Sequence, residues 1–330
     1  MEFLEQYGLF LLKSITLVIS LLLTLAGILA LSRKQKPKLE ITPLNKEYIT
    51  LQSQMNDAIK DIKKDKKKIK QEKKQAKNRP SLYVIAFSGD IKASQVDQLR
   101  DEITAILSVV EKKDEIMIKV ESPGGSVNGY GLAASQLQRI RSQQIPLTVC
   151  IDKIAASGGY LMACVANHIV AAPFSIIGSI GVVAQFPNFH RLLQKNNIDV
   201  ELITAGEYKR TLTLFSENTE KGRKKFKDDL EKIHQAFRNY VLANRQQLDV
   251  DKISTGEHWL ASDAYDLKLI DSLQTSDDWI LEKMKHFNVF QISIYIKPPF
   301  IDRLLKPAMK LVHPWALKIT KKKSQKQYYT

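Results

Sequence analysis

The chain opens on a stretch that is apolar all round. Ile15–Leu31 carries no charged residue, and Leu9–Leu12 extends it with only Lys13 and Ser14 between. A run of this length, at about 1.5 Å per helical residue, is enough to cross a bilayer. The residues before it are acidic, Glu2 and Glu5, and Ala26–Ala30 offers no convincing small-x-small cleavage site. A secretory signal peptide has a basic start and such a site. The pattern therefore predicts an uncleaved membrane anchor over residues 1–32. Arg33, Lys34, Lys36 and Lys38 follow directly, and such an excess favours the cytoplasmic side for the C-terminal flank.

The pattern then changes. From Asn45 to Arg79 the chain is rich in Lys and Gln and has no Gly or Cys. Met55, Ile59, Ile62 and Ile69 leave a thin apolar stripe, so a solvated helix or a disordered linker is expected across 33–79. Arg79–Pro80 ends it. Between residues 80 and 296 apolar runs alternate with helical spacing. Leu82–Phe87, Glu115–Glu121, Leu147–Ile151, His168–Ala171 and Val200–Ile203 read as strands. Val96–Val110, Leu132–Ile140, Ser157–Ala166 and Thr219–Leu248 read as helices, the last with Phe226, Leu230, Ile233, Phe237 and Val241 on one face. This is an α/β domain of strand–strand–helix units. Residues 297–330 mix Leu304, Leu305, Leu311 and Trp315 with Lys306, Lys310 and Lys318, interrupted by Pro307 and Pro314. They read either as a basic amphipathic tail on a membrane surface or as a loosely ordered one.

Charge sharpens the picture once it is located. The 330 residues carry a net +15. Sixteen Lys and Arg face six Asp and Glu between Leu31 and Arg79, and nine face one from Lys297 to Thr330. Residues 80–296 are thus nearly balanced. Basic flanks beside a membrane segment meet anionic lipid first. They lack the interleaved aromatics and the presenting fold of a nucleic-acid surface, which argues against DNA or RNA binding. Cys150 and Cys164 sit in apolar runs, as buried small hydrophobes do, and two cysteines do not fix the redox compartment.

Three segments carry candidate chemistry. In Ser122-Pro123-Gly124-Gly125-Ser126, two glycines after a strand can turn outward-facing N–H groups toward a developing oxyanion, though Pro-Gly-Gly is also an ordinary turn. In Ala155-Ala-Ser157-Gly158-Gly-Tyr160, a strand and short loop lead into a helix opening at Ser157. Small neighbours leave its hydroxyl uncrowded, and Gly158 N–H is a second oxyanion donor. The same pattern also fits a capping serine with glycines for close packing. Gly206-Glu-Tyr-Lys209-Arg210 offers a lysine, which is a base only when burial or a nearby cation keeps its amine neutral. Solvated lysines are the common case.

These segments, with Ile177-Gly-Ser179-Ile-Gly-Val182, occur in an order that resembles the signal peptide peptidase A family of serine peptidases. The likeness runs over nearly the whole chain, including the anchor, the linker, Pro187-Asn-Phe189, Tyr208–Thr213 and Thr255-Gly-Glu-His-Trp259. It implies a crotonase/Clp-protease-like spiral of repeated ββα units over residues 80–296. It implies Ser157 as nucleophile, Lys209 as general base, Ser179 as support for the lysine, and Gly124 with Gly158 as the oxyanion site. An extended substrate would lie beside Gly125 and Ser126. The implied activity is a membrane-associated endopeptidase that cuts unfolded or leader peptides through an acyl-enzyme, without metal or organic cofactor. The implied setting is the bacterial inner membrane, with protomers assembled so that a neighbour can supply the lysine. Work on envelope peptides favours the outer face, whereas the Arg33–Lys38 cluster favours the cytoplasm.

Three rival readings stand beside this one. His190 with Asp199 would complete a triad on Ser157, and its activity would be flat above neutrality. A crotonase-type acyl-CoA enzyme would also use glycine-loop N–H groups. A non-catalytic membrane scaffold would bind peptides and leave them whole. A covalent serine probe and a cleavage assay separate them.

Overall fold

The computed structural model describes residues 2–32, 38–60 and 78–295. The expected tail over 297–330 and the later linker lie outside the described residues. Contacts divide the chain into two units, Glu40–Ser293 and the two terminal segments together.

In the terminal unit, α1 (Glu2–Ser32) is one helix of 31 residues. Residues 5–22 within it have a mean hydropathy of 1.3 and none is buried. By length and composition it can cross a membrane.

The larger unit is built on seven strands. They are β1 (Lys38–Pro43), β2 (Ser81–Ser88), β3 (Glu115–Glu121), β4 (Leu147–Ile151), β6 (His168–Ala171), β9 (Ser272–Leu273) and β10 (Asn288–Tyr295), in spatial order β1-β10-β2-β3-β4-β6-β9. The β10-β2, β2-β3, β3-β4, β4-β6 and β6-β9 pairs are all parallel. Parallel sheets are covered on both faces, and alternation along β3 shows how. Ile116, Ile118 and Val120 join the large core cluster, while Met117 joins a smaller one with Trp279 and Ile280. The large cluster is closed by α3 (Val96–Leu107), α4 (Val127–Ser142) and α5 (Gly158–Ala163). The smaller lies under α10 (Ser276–Lys283).

A second sheet positions the site. It holds β5 (Ile154–Ala156), β7 (Ile176–Gly178) and β8 (His258–Leu260), with β5 and β7 parallel and β8 antiparallel. A single bridge from Ser122 to Ala155 ties the end of β3 to it. β4 and β6 each run on into a shorter strand of the small sheet, β5 and β7, while β3 reaches that sheet only through the Ser122 bridge. This is the repeated ββα arrangement that the sequence resemblance implies, and the α/β class is as expected.

Three details differ from the sequence reading. Val200–Ile203 is not a strand. Three of its four residues are apolar, but all four are exposed and none pairs with a strand among the described residues. The long helix starts just after Thr219 and stops short of Leu248, as α7 (Glu220–Asn244), capped by Thr219, whose hydroxyl accepts Gly222 N–H at 3.1 Å. Finally, β1 is a strand that the sequence did not announce, whereas α2 (Leu44–Lys60) is a helix, one of the two forms expected of that segment. Asn45 stitches α2 to the sheet. Its amide donates to Phe287 O at 3.1 Å, and its oxygen accepts Val289 N–H at 2.6 Å.

Candidate active site

Ser157 stands between β5 and α5 with φ +52° and ψ −116°. An L-residue is strained at such a positive φ, where glycine is relaxed. Backbone on both sides holds it. Its N–H donates to Gly178 O at 2.8 Å, its carbonyl accepts Leu161 N–H at 2.9 Å, and Ala156 N–H donates to Ser122 O at 3.0 Å. The hydroxyl makes no capping bond to α5. Ser157 therefore opens the helix with its side chain left over, unlike an ordinary capping serine.

The glycine turn after β3 is pressed against this corner. Gly124 has φ +88°, and a β-carbon there would lie 2.7 Å from both Gly158 N and Ser157 Cβ. Only glycine fits. This contact brings Gly124, Ser157 and Gly158 together. Gly124 N–H donates to the Ser122 hydroxyl oxygen at 3.1 Å. Among the described residues, Gly125 N–H and Gly158 N–H have no hydrogen-bond partner. Gly125 backs onto the Ile91 carbonyl, which accepts Ser126 N–H at 2.8 Å.

Ser179 follows the carbonyl that holds Ser157. It too has a positive φ, +53°, and its N–H donates to Glu257 O at 2.6 Å. Lys209 lies on an irregular, exposed segment, and its amine has no hydrogen bond or ion pair among the described residues. Its neighbours are tied down. Glu207 pairs with Lys221, and the Tyr208 ring lies 6.0 and 5.4 Å from the amines of Lys221 and Lys225 on α7. The hydrogen bond from Lys221 is the main cause holding the Glu207 carboxyl below its ordinary value.

His190 opens α6 (His190–Lys195), its N–H donating to Asn188 Oδ1 at 3.1 Å, and Asp199 is exposed. No hydrogen bond links either to Ser157 among the described residues. Both cysteines are buried and free, and burial pushes the Cys164 thiol up to about 12. They are inert small hydrophobes at neutral pH. Among the described residues no group of three or more His, Cys, Asp or Glu could hold a metal.

Two residues that the sequence did not single out for a role stand directly behind the site. Ser122 Oγ is 2.5 Å from Tyr130 Oη, and the phenol donates to Asp90 O at 2.8 Å. Tyr130 falls before the helix read from the sequence, Leu132–Ile140, and in the fold it lies on α4. Only the fold brings it under Gly158.

Comparison with known proteins bears on this geometry. The profile of Peptidase family S49 matches residues 139–290, and that of Peptidase family S49 N-terminal matches residues 2–137. A protein of Haemophilus influenzae named Probable protease SohB is 45% identical, over 96% of this chain and 97% of its own. A Putative protease SohB of Buchnera aphidicola is 42% identical, over 95% of this chain and 97% of its own. Among solved structures, a membrane-bound stomatin-specific protease in complex with a substrate peptide aligns at TM-score 0.43 and 17% identity, over 71% of this chain and 99% of that one. With both family profiles matched and near-full-length relatives at this identity, the chain belongs to peptidase family S49 and is a serine peptidase.

Proposed function

We propose that this peptidase is held in the bacterial inner membrane by α1 and hydrolyses peptide bonds with Ser157 as nucleophile and Lys209 as general base. The supporting observation is the corner at Ser157. A strained serine with an uncommitted hydroxyl faces a glycine turn at van der Waals contact, with free N–H groups on both sides. In this reading neutral Lys209 takes the Ser157 proton and the alkoxide attacks the scissile carbonyl. The oxyanion forms between Gly158 N–H and the Gly124–Gly125 turn, where each donor contributes about 3–4 kcal/mol. Since Gly124 N–H leans on Ser122, the amide of Gly125 is the freer donor on that side. Lysine then protonates the leaving amine, and water releases the acyl-enzyme. Ser179 would steady the amine, and an extended substrate would run beside Gly125 and Ser126.

The exposure of Lys209 is explained by assembly. The segment that carries it is rich in uncovered apolar side chains, and Ile203 is 89% exposed. Beside it Phe186, Leu202, Leu214 and Phe215 line a recess of about 380 Å³, with Arg210 at its edge. A second copy seated there would bury apolar surface and strip water from the amine. Desolvation and the neighbouring Arg210 both favour the neutral, basic form. Peptide substrates, anionic lipid at the basic flanks and further copies of the chain are thus the proposed partners.

The experiment uses the full-length protein in detergent micelles with casein or a fluorogenic peptide. Ser157→Ala and Lys209→Ala should each abolish turnover while leaving the melting temperature within a few degrees. Mixing the two inactive variants should restore part of the activity, because some contacts then pair an intact serine with an intact lysine. Undiminished turnover by either single variant rejects the dyad.

A further inference from the structure

Behind the proposed oxyanion site runs a buried chain of hydrogen bonds with a fixed direction. Ser122 and Tyr130 are both fully buried. The Tyr130 phenol has one proton to give, and it goes to the Asp90 carbonyl at 2.8 Å. Across the 2.5 Å contact Ser122 must then be the donor. Its oxygen is left to accept Gly124 N–H at 3.1 Å. The order is Gly124 amide, Ser122 hydroxyl, Tyr130 hydroxyl, Asp90 carbonyl. Burial raises the pKa of the phenol, so the chain keeps its direction over the neutral and mildly alkaline range.

The same two residues bound the nucleophile's side. A β-carbon on Gly158 would fall 2.3 Å from Tyr130 Cγ, and one on Gly159 would fall 2.6 Å from the Ser122 carbonyl oxygen. Ser122 also holds β5, since its N–H donates to Ile154 O at 2.8 Å and its carbonyl accepts Ala156 N–H. One serine and one tyrosine therefore touch both halves of the site: the glycine turn through Oγ, and the start of α5 through backbone and ring.

We infer that Ser122 and Tyr130 are positioning residues for peptide hydrolysis, their hydrogen-bond chain setting the Gly124–Gly125 turn at the separation from Gly158 that the oxyanion requires. The inference rests on Ser157 being the nucleophile. Neither side chain meets the substrate, so each acts through the turn. A turn displaced by a few tenths of an ångström still binds an extended peptide, but it meets the transition-state charge less well. Loss of the chain should therefore lower kcat and leave KM in place.

The test uses full-length protein in micelles, a fluorogenic peptide and a peptide aldehyde whose hemiacetal oxygen occupies the oxyanion position. Tyr130→Phe should lower kcat 10- to 100-fold with KM within twofold, and weaken the aldehyde by the same factor as kcat/KM. Ser122→Ala should show the same split, and the double variant should be no worse than the weaker single one. Unchanged kcat and aldehyde affinity in both variants overturns the inference. So does a loss in which KM and melting temperature move along with kcat. Should Tyr130→Phe not fold, Ser122→Ala decides alone. Failure of the underlying reading looks different, since Ser157→Ala would then keep its turnover and the aldehyde would not bind the native protein covalently.

Discussion

Gly158 lies flat against Tyr130, so close that a β-carbon would fall 2.3 Å from Cγ and 2.7 Å from Cβ of that residue. The neighbour is the root of a buried ring and cannot swing aside. Gly158→Ala should therefore push α5 away from the glycine turn, lowering turnover by more than about 100-fold and stability by about 1–3 kcal/mol. Gly131 on α4 is the control. A β-carbon there meets nothing within 4 Å, so Gly131→Ala should keep full activity and add about 0.5–1 kcal/mol. Peptide turnover and denaturant midpoints check both.

The tie between Glu207 and Lys221 makes the Lys209 segment sensitive to acid. The carboxylate is lowered from 4.5, first by the Lys221 hydrogen bond. A depressed acid contributes its stabilisation above its unfolded value and loses it as pH falls through the folded one. Hydrogen-exchange protection of residues 206–210 should thus hold near neutrality and decline below about pH 4.5. In Glu207→Gln the protection should be low at neutral pH and no longer change with acid. Both partners are exposed, so the global melting temperature should barely move.

Arg245 should be a stability residue with no part in catalysis. Its side chain is 4% exposed. It donates to both oxygens of Asp271 at 2.7 and 2.9 Å and to Lys268 O at 2.9 Å. Asp271 in turn accepts Ile169 N–H at 2.7 Å, fixing the edge of β6. Arg245→Ala leaves the partly buried Asp271 carboxylate without its charged partner and should cost about 1–3 kcal/mol. Urea unfolding should show a lower midpoint with unchanged slope, while the folded fraction keeps its native kcat.

The parts of this fold that were legible are those whose burial is one-sided or complete. Leu147–Ile151 is apolar throughout because β4 is buried on both faces, and Val96–Leu107 shows helical spacing because one stripe meets the core. The three-residue strands β5, β7 and β8 are too short to show a period. Val200–Ile203 is a short apolar run without a sheet to join. At the site, the small residues around Gly124, Ser157 and Gly158 stood out in the sequence, but each also fitted an ordinary turn or cap, and only their ordered resemblance to a family suggested roles. Ser122 and Tyr130 could not be read, because a hydroxyl pair eight residues apart acquires meaning only when β3 and α4 fold together. Asn45 is similar: one polar residue fastens α2 to β10, and nothing around it in sequence announces this.

The left-handed backbone at Ser157 has an evolutionary corollary. Glycine alone would relax there, so loss of the hydroxyl by Ser157→Gly should yield a chain at least as stable as its parent, whereas Ser157→Ala keeps the strain. Silent descendants of such a peptidase would drift toward glycine at this position, and the same replacement would make a durable trap for holding uncut substrates.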